Sequence, residues 1–329
     1  MIYLKKINKN ILYMKTMLIS KFKSILKRLW FRPLVVIPTI MRKLPVSWIS
    51  DKSFIIIDYF CSMNRVINLK APKTFNEKIQ WLKLNIRNQD LSKYVDKYDV
   101  KKIISEKTGK DKIIPTIGVW DDVEDIDFDM LPKQFVIKCT HDSGSVIICE
   151  DKSSLDIFSM KKKLKKYLNR NFYKYSREYI YKDIKPRIIA EKYIKPFNGN
   201  ELKDYKFFCF DAKVKYIQVD IGRFSNHHKN FYDTNFNLLP FTYEKKPIYH
   251  GKAEKPDNLK EMIKCAELLS KGFPFVRVDL YTTGEQIYFG ELTFTPSGGR
   301  AYFTPKKYDL ILGESIKLNN IKKVMDQYD

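Results

Sequence analysis

Nowhere in this sequence do about 18 apolar residues run without interruption, so no segment reads as a helix that crosses a bilayer. The stretch PLVVIPTIM (Pro33 to Met41) is short and broken by prolines, and without a small-residue cleavage signature it does not read as a secretory signal. CxxC pairs are missing too. The cysteines, Cys61, Cys139, Cys149, Cys209 and Cys265, are odd in number, which argues against a disulfide framework or a structural zinc site and for a reducing cytosol. The histidines His141, His227, His228 and His250 lack the helical i, i+4 pairing of a zinc hydrolase, and adjacent His227 and His228 read as loop residues.

Acid is absent from the first 50 residues, which hold eleven Lys or Arg before Asp51, the first carboxylate. Within them ILYMKTMLISKFKSILKRLW places Ile11, Met14, Leu18, Phe22, Ile25 and Leu29 at three- and four-residue steps with lysines between, as in an amphipathic helix. Two readings stand: an interfacial anchor on anionic lipid, where each basic residue contributes about 1 kcal/mol, or a helix packed on the body. Charge extends beyond this segment, since Lys+Arg 61 against Asp+Glu 38 gives +23. That balance points to an anionic partner: nucleic acid, phosphorylated or uronic-acid substrates, or a membrane surface.

What is present is an apolar fraction of 44% in a chain of 329 residues, a normal core-forming composition at a length that calls for two or more lobes. After residue 50 there are no repeats, low-complexity tracts or Gly/Ser linkers. Residues 74–105 (TFNEKIQWLKLNIRNQDLSKYVDKYDVKKIIS) read as two helices, the first opened by a Thr74/Glu77 capping box. QFVIKCTHDSGSVIICED reads as strand, polar loop and strand, DIFSMKKKLKKYLN as a basic helix, and PRIIAEKYI, DYKFFCF and KVKYIQVDIG as strands. KPDNLKEMIKCAELLSKG reads as a helix from Pro256 and Asp257 to Gly272, with Leu259, Met262, Ile263, Ala266 and Leu269 inward. Strands mixed with helices give an α/β or α+β class.

The stretch FVRVDLYTTGEQIYFGELTFTPSGGR (Phe275 to Arg300) puts acids inside apparent core strands. Alternation turns Arg277 and Asp279 one way and Val276, Val278 and Leu280 the other. TTGE supplies a turn, and the return strand is expected to carry Ile287, Phe289, Glu291 and Thr293 on one face. Asp279 and Glu291 meet only if the pairing sum is even, through an odd loop or a bulge. Two close carboxylates repel unless one is protonated or a cation lies between them, and hard oxygens with few companions suit Mg²⁺. The competing reading is a surface hairpin with Arg277 and Asp279 in a structural pair. In FVIKCTHDSGS, Lys138 ends an apolar strand beside a small polar loop whose Ser143, Gly144 and Ser145 backbone N–H groups could hold phosphate oxygens. A plain hairpin explains that stretch as well.

Taken in order, TFNEKIQWLK, DKYDVKK, FVIKCTHDSGS, IIAEKYI, DYKFFCF, RVDLY and GELTFTPSGG resemble the ATP-grasp superfamily, and within it the TupA-like branch, named for a protein of teichuronopeptide synthesis. The resemblance covers roughly residues 70–318. It implies an α+β ATP-grasp fold in which two lobes clasp a nucleotide, with a basic extension at 1–50, a helical part at 51–110, a small lobe with the phosphate loop at 111–194 and a large lobe with the metal site at 195–329. It implies a ligase that forms an acyl phosphate from a carboxylate and ATP, with Mg²⁺, and passes the acyl group to an amine or similar nucleophile.

By position, Lys138 and Lys101 would hold the α- and β-phosphates, and Ser143, Gly144 and Ser145 would close over the β- and γ-phosphates. Glu191, Lys192, Tyr193 and Ile194 would form the hinge that bonds the adenine edge, with Asp204 on the ribose. Asp279 and Glu291 would hold Mg²⁺, with Thr293 standing where superfamily members commonly carry Asn. Arg277 and the Gly298 N–H would stabilise the oxyanion, and Lys206 and Arg300 would meet the substrate carboxylate. The basic composition agrees with an acidic glycan or lipid-linked sugar as substrate, reached from the cytoplasmic face of the membrane. Two rivals are a glycosyltransferase using the acid-x-acid run DIDFDM (Asp125 to Met130) and a non-catalytic, charge-driven binder of membrane or nucleic acid. Against nucleic acid, the aromatics fall in apparent core strands and do not interleave with Lys and Arg.

Overall fold

The computed structural model describes residues 34, 36–195, 202–222, 226–251 and 253–318; the segment Ile11 to Trp30 lies outside them. The chain divides into two compact units, residues 1–67 and 68–329. In the first, Ser50 caps the helix Asp51–Met63 by accepting the Ser53 N–H at 3.1 Å, and Asn64 ends it in a left-handed conformation. Arg42, beyond the short helix Val36–Met41, pairs with Asp58 at 2.7 Å.

The second unit is built on two antiparallel sheets. The smaller contains β1 (Thr116–Trp120), β2 (Phe135–Cys139), β3 (Ile147–Cys149) and β4 (Ile188–Lys192) in the order β1-β4-β2-β3. Alternation gives it two unlike faces. Phe135, Ile137, Cys139, Ile188 and Ala190 join Met160, Leu164 and Leu168 of the helix Ile157–Leu168 in one core, while Lys138 and Glu191 fall on the opposite face. The same core accounts for DIDFDM. Ile126 and Phe128 are buried there, whereas Asp125, Asp127 and Asp129 are exposed and Asp127 accepts the Asp129 N–H at 2.9 Å, so the acid-x-acid pattern is a solvated turn.

The larger sheet contains β5 (Asp204–Phe210), β6 (Lys213–Ile221), β7 (His228–Tyr232) and β8 (Leu238–Leu239), with β10 (Phe275–Thr282) and β11 (Ile287–Thr293), in the order β11-β10-β5-β6-β7-β8; β9 (Thr242–Tyr243) pairs with β12 (Phe303–Thr304). One face buries Tyr205, Phe207, Cys209, Val276, Val278 and Leu280 with the helix Leu259–Leu269. That helix turns Cys265 inward and leaves Ile263 half-buried, a one-position difference from the sequence expectation. The other face begins with Phe208, Phe210 and Phe275 against Phe75, Ile79 and Leu82 of the helix Phe75–Asn85; Phe75 and Phe275 meet edge to face at 5.1 Å. Farther along, this face changes from phenylalanine to charge, and there the site forms.

The capping box at Thr74 and Glu77 is present. The second expected helix is interrupted. Asp96 accepts the Tyr98 and Asp99 N–H groups at 2.8 and 2.9 Å, a local turn that competes with helix, so only Ser92–Val95 and Val100–Thr108 are helical.

Candidate active site

Strands β10 and β11 pair Asp279 directly with Glu291 and Arg277 with Thr293. A bulge makes that register work, because Leu280 pairs with Phe289 and Gly290 is the additional residue. The bulge also corrects the expected face. Ile287 and Phe289 pack with Leu292 in the core on the Val278 side, while Glu291 and Thr293 stand with Arg277 and Asp279.

Arg277 ties this end of the sheet together. Its Nε and Nη2 donate to the two Asp279 oxygens, both at 2.6 Å, and Nη2 also reaches Glu291 Oε1 and Thr293 Oγ1, both at 3.0 Å. The Thr293 hydroxyl donates to Glu291 Oε1 at 2.9 Å. Burial raises the Asp279 carboxyl above the ordinary value, although Arg277 and Lys206 favour its charge, and the neighbouring Glu291 charge raises it further. Glu291 is lowered: its surroundings disfavour charge by desolvation, but Arg277, Lys97 and Lys206 more than offset that.

Strand β5 runs beside β10 and places Lys206 opposite Asp279. The Lys206 ammonium contacts Asp204 and lies 3.4 Å from Asp279 and 3.7 Å from Asp220. Asp220 Oδ1 in turn lies 3.3 Å from His227 Nε2 and accepts from Gln218 at 2.9 Å. A neighbouring link joins Lys229 and the Ser297 hydroxyl to Glu244. Sequence reading named Lys206 and Asp204, but as substrate and ribose contacts; in this conformation they hold each other.

On the small sheet, Lys138 stands on the face away from the Phe135 core. Its ammonium lies 2.5 Å from Glu191 Oε2, and Lys101 contacts the other carboxylate oxygen. Burial works against the Glu191 charge, yet the two ammonium groups outweigh it and lower the carboxyl. Glu191 sits in the second-position strand of its sheet, paired with Thr116 on one side and Val136 on the other, and Lys192 donates its N–H to Pro115 at 2.9 Å. β4 ends at Lys192, and Tyr193 and Ile194 follow it outside the strand ladder.

The loop between β2 and β3 is anchored from beneath. Ser145 donates to Asp142 at 2.6 Å and accepts the Cys139 N–H at 2.9 Å, while Ser143 and Gly144 are exposed and Gly144 adopts φ +94°. Lys97 fastens the loop to the rest of the site by donating to the Asp142 carbonyl and, at 3.4 Å, to that of Thr140. Burial lowers its ammonium against Glu291 and Asp142, which favour the charge, so Lys97 stands electrically between the loop and the acid pair. Sequence reading chose Lys101 from DKYDVK and missed Lys97. The signal was available, since Asp96 followed by Asp99 is a turn pattern that takes Lys97 out of a helix.

After β11 the chain makes a tight turn in which Ser297, Gly298 and Gly299 all have positive φ. The helix Phe75–Asn85 holds it: Gln80 donates to Gly298 and Gly299 carbonyls at 2.8 and 3.1 Å, and Asn76 exchanges two 2.8 Å bonds with Ala301. The Gly298 N–H, expected at an oxyanion, donates to the Thr295 carbonyl at 2.8 Å. Arg300 reaches back beneath this turn, 3.0 Å from where a Gly298 Cβ would lie.

Asp279 and Glu291, with Thr293, offer hard oxygens from directly opposed positions, and among the described residues no group of three or more His, Cys, Asp or Glu could hold a metal by itself. Such a set fits a cation like Mg²⁺ that completes its shell with phosphate and water oxygens.

Residues 77–317 match the TupA-like ATP-grasp family. Among curated proteins, none matches this chain. Among solved structures, a D-alanine–D-alanine ligase from Bacillus anthracis is 20% identical with a TM-score of 0.42 over 73% of this chain and 71% of that one. The D-alanine–D-alanine ligase from Helicobacter pylori is 14% identical, TM-score 0.36, over 77% and 68%. The ATP-grasp ligase PsnB with minimal precursor, Mg and ADP is 9% identical, TM-score 0.36, over 77% and 66%. With the family match running from the first helix of the second unit through the acid hairpin and the tight turn beyond it, this chain belongs to the TupA-like ATP-grasp family and so to the ATP-grasp ligases.

Proposed function

We propose that this chain joins a carboxylate to an amine or similar nucleophile at the expense of ATP, and that the product is a modified acidic cell-surface polysaccharide or its precursor. One observation carries the reading: Asp279 and Glu291 are directly paired and clasped by Arg277, Lys97 feels the Glu291 charge while it holds the glycine-containing loop, and Lys101 and Lys138 meet on Glu191 of the small sheet. Phosphoryl transfer needs this combination, since it depends on positioning and charge neutralisation more than on a nucleophilic side chain.

In this reading Lys138 and Lys101 hold the α- and β-phosphates, and the exposed Ser143 and Gly144 N–H groups, with Ser145 below them, close over the β- and γ-phosphates. Tyr193 and Ile194, beyond the strand ladder, bond the adenine edge, and Asp204 takes the ribose. Asp279, Glu291 and Thr293 would hold Mg²⁺, which would supply neutralisation of phosphate charge. A substrate carboxylate oxygen attacks the γ-phosphorus, the bond to the bridging oxygen of ADP breaks, and an acyl phosphate forms. The nucleophile then attacks the acyl carbon, phosphate leaves, and the nucleophile gives up a proton. Arg277, which holds both acids, would be the cation nearest the charge that develops on the acyl oxygen.

The basic composition supports an acidic glycan, free or lipid-linked, as the partner. Eleven cations and no acid in the first 50 residues, together with exposed Trp48, Ile56, Ile57 and Phe60 in the first unit, support contact with an anionic membrane surface on the cytoplasmic side. Among the described residues no helix is long and apolar enough to cross a membrane. Asp279→Asn and Glu291→Gln are expected to lower carboxylate-dependent ADP formation by at least about a hundredfold, the usual order for removing one preorganised charge contact. Full turnover in both variants would remove the metal assignment.

A further inference from the structure

We infer that Lys206 is a built-in cation that takes the place of one divalent ion at the acid hairpin, so that this site works with a single Mg²⁺; the inference rests on the ligase reading above and fixes its metal count. Many phosphoryl-transfer sites hold two divalent ions, about 3.5–4 Å apart where they share carboxylates. Here the chain itself furnishes one cation among the acids. Lys206 stands opposite Asp279 on the neighbouring strand, is buried, and is surrounded by three carboxylates: it contacts Asp204 and lies 3.4 Å from Asp279 and 3.7 Å from Asp220. An ammonium has three N–H donors, and three acids compete for these. A substrate carboxylate would be a fourth.

Charge limits the number of ions. Asp204, Asp220, Asp279 and Glu291 are four carboxylates joined through the two cations Lys206 and Arg277, which leaves two negative charges uncancelled, the charge of one divalent ion. Burial lowers the Lys206 ammonium and raises the Asp279 carboxyl, but a proton passed from one to the other leaves that sum unchanged. Nearby, Lys229 and Glu244 cancel each other, and Lys97, which favours the Glu291 charge, only lowers the remainder. Open oxygens are as few. Both Asp279 oxygens accept from Arg277 at 2.6 Å, and the Thr293 hydroxyl gives its hydrogen to Glu291 Oε1 while accepting from Arg277. Glu291, its side chain 46% exposed, is the acid most open to an arriving ion. A nucleotide brings further negative charge, yet the acids that would anchor a second ion are those already committed to Lys206. Asp220 shows the dependence: burial works against its charge, and Lys206 is the largest of the influences that sustain it.

Counting bound Mn²⁺, which takes the same oxygen ligands as Mg²⁺, tests the inference by electron paramagnetic resonance on the full chain. A non-hydrolysable ATP analogue is held below the protein concentration so that none is free to carry the ion. Wild type is expected to bind one Mn²⁺ per nucleotide however much is added. Thr293→Asn, which supplies an amide oxygen but keeps Lys206, should still bind one. Lys206→Met should bind two, and the pair should show the spin coupling of ions about 3.5–4 Å apart, which a stray ion elsewhere on the chain would lack. Two coupled ions in wild type or in Thr293→Asn would overturn the inference, as would a single ion in a Lys206→Met chain that still binds the nucleotide. The first two counts need no change at Lys206, so they decide the matter even if Lys206→Met does not fold. Absence of any Mn²⁺-dependent nucleotide binding in wild type would instead overturn the ligase reading, and the inference with it.

Discussion

Glu191 carries more of the site than its place in a strand reveals. It is 3% exposed and holds two ammonium groups, so removing its charge leaves Lys101 and Lys138 facing each other in a semi-buried space. Glu191→Gln is expected to cost about 3–5 kcal/mol, as for other buried pairs that lose one member. The pH dependence has a definite sign. The folded-state carboxyl lies below its unfolded value, so its stabilisation is complete above the unfolded pKa of about 4.3 and disappears as pH falls through the lower, folded value. Urea unfolding at pH 6 and pH 3 should show the difference between wild type and Glu191→Gln shrinking at the lower pH; a constant difference would contradict the assignment. The buried cysteines take no part. Burial pushes the thiols of Cys139 and Cys209 up to about 12, which makes them packing groups without reactivity.

At the scale of elements, the acid hairpin shows how far sequence reading reaches. Alternation placed Arg277 and Asp279 on one face of β10, and the parity of the pairing sum required an odd loop or a bulge. It did not say where the bulge lies, and the face of Ile287 and Phe289 depended on that choice. Gly290 holds the answer, because a Cβ there would meet the Tyr281 ring at 2.9 Å and the Asp279 carbonyl at 3.0 Å. Gly290→Ala is therefore expected to destabilise the chain by about 1–3 kcal/mol, the cost of overpacking, and to weaken nucleotide response more than that loss of stability explains, because it moves Glu291 relative to Asp279. An alanine variant with unchanged melting temperature and unchanged nucleotide response would contradict the bulge. The partners of Lys97 were not legible for a different reason, although its turn was. They come from contacts between distant segments, whereas sequence periodicity reports only which face of its own element a residue occupies. The capping box at Thr74 and the basic helix Ile157–Leu168, whose determinants are local, were read correctly.

On the scale of the whole molecule, a charge of +23 is distributed so that its purpose divides. Within the second unit, Lys101, Lys138 and Lys206 each lie against buried acids. In the first 50 residues they have no acids among them, and the first unit exposes Trp48 at 71% and Phe60 at 40%. Sedimentation with phosphatidylglycerol vesicles is expected to carry the full chain down, with weaker recovery in high salt and after Trp48→Ser with Phe60→Ser; phosphatidylcholine vesicles should recover little. Equal recovery on both lipids would contradict an electrostatic contact.

In the proposed function Asp279 and Glu291 would hold a cation against a nucleotide's phosphates, which the lysines of the small sheet would also neutralise. Thermal unfolding in the presence of a non-hydrolysable ATP analogue, with and without Mg²⁺, on wild type and Asp279→Asn tests it most directly. At a ligand concentration 100 times Kd, the wild type should gain about 2.7 kcal/mol, seen as a rise in melting temperature that needs both nucleotide and Mg²⁺ and is absent from Asp279→Asn. A rise that is independent of the metal, or that persists undiminished in Asp279→Asn, would contradict it.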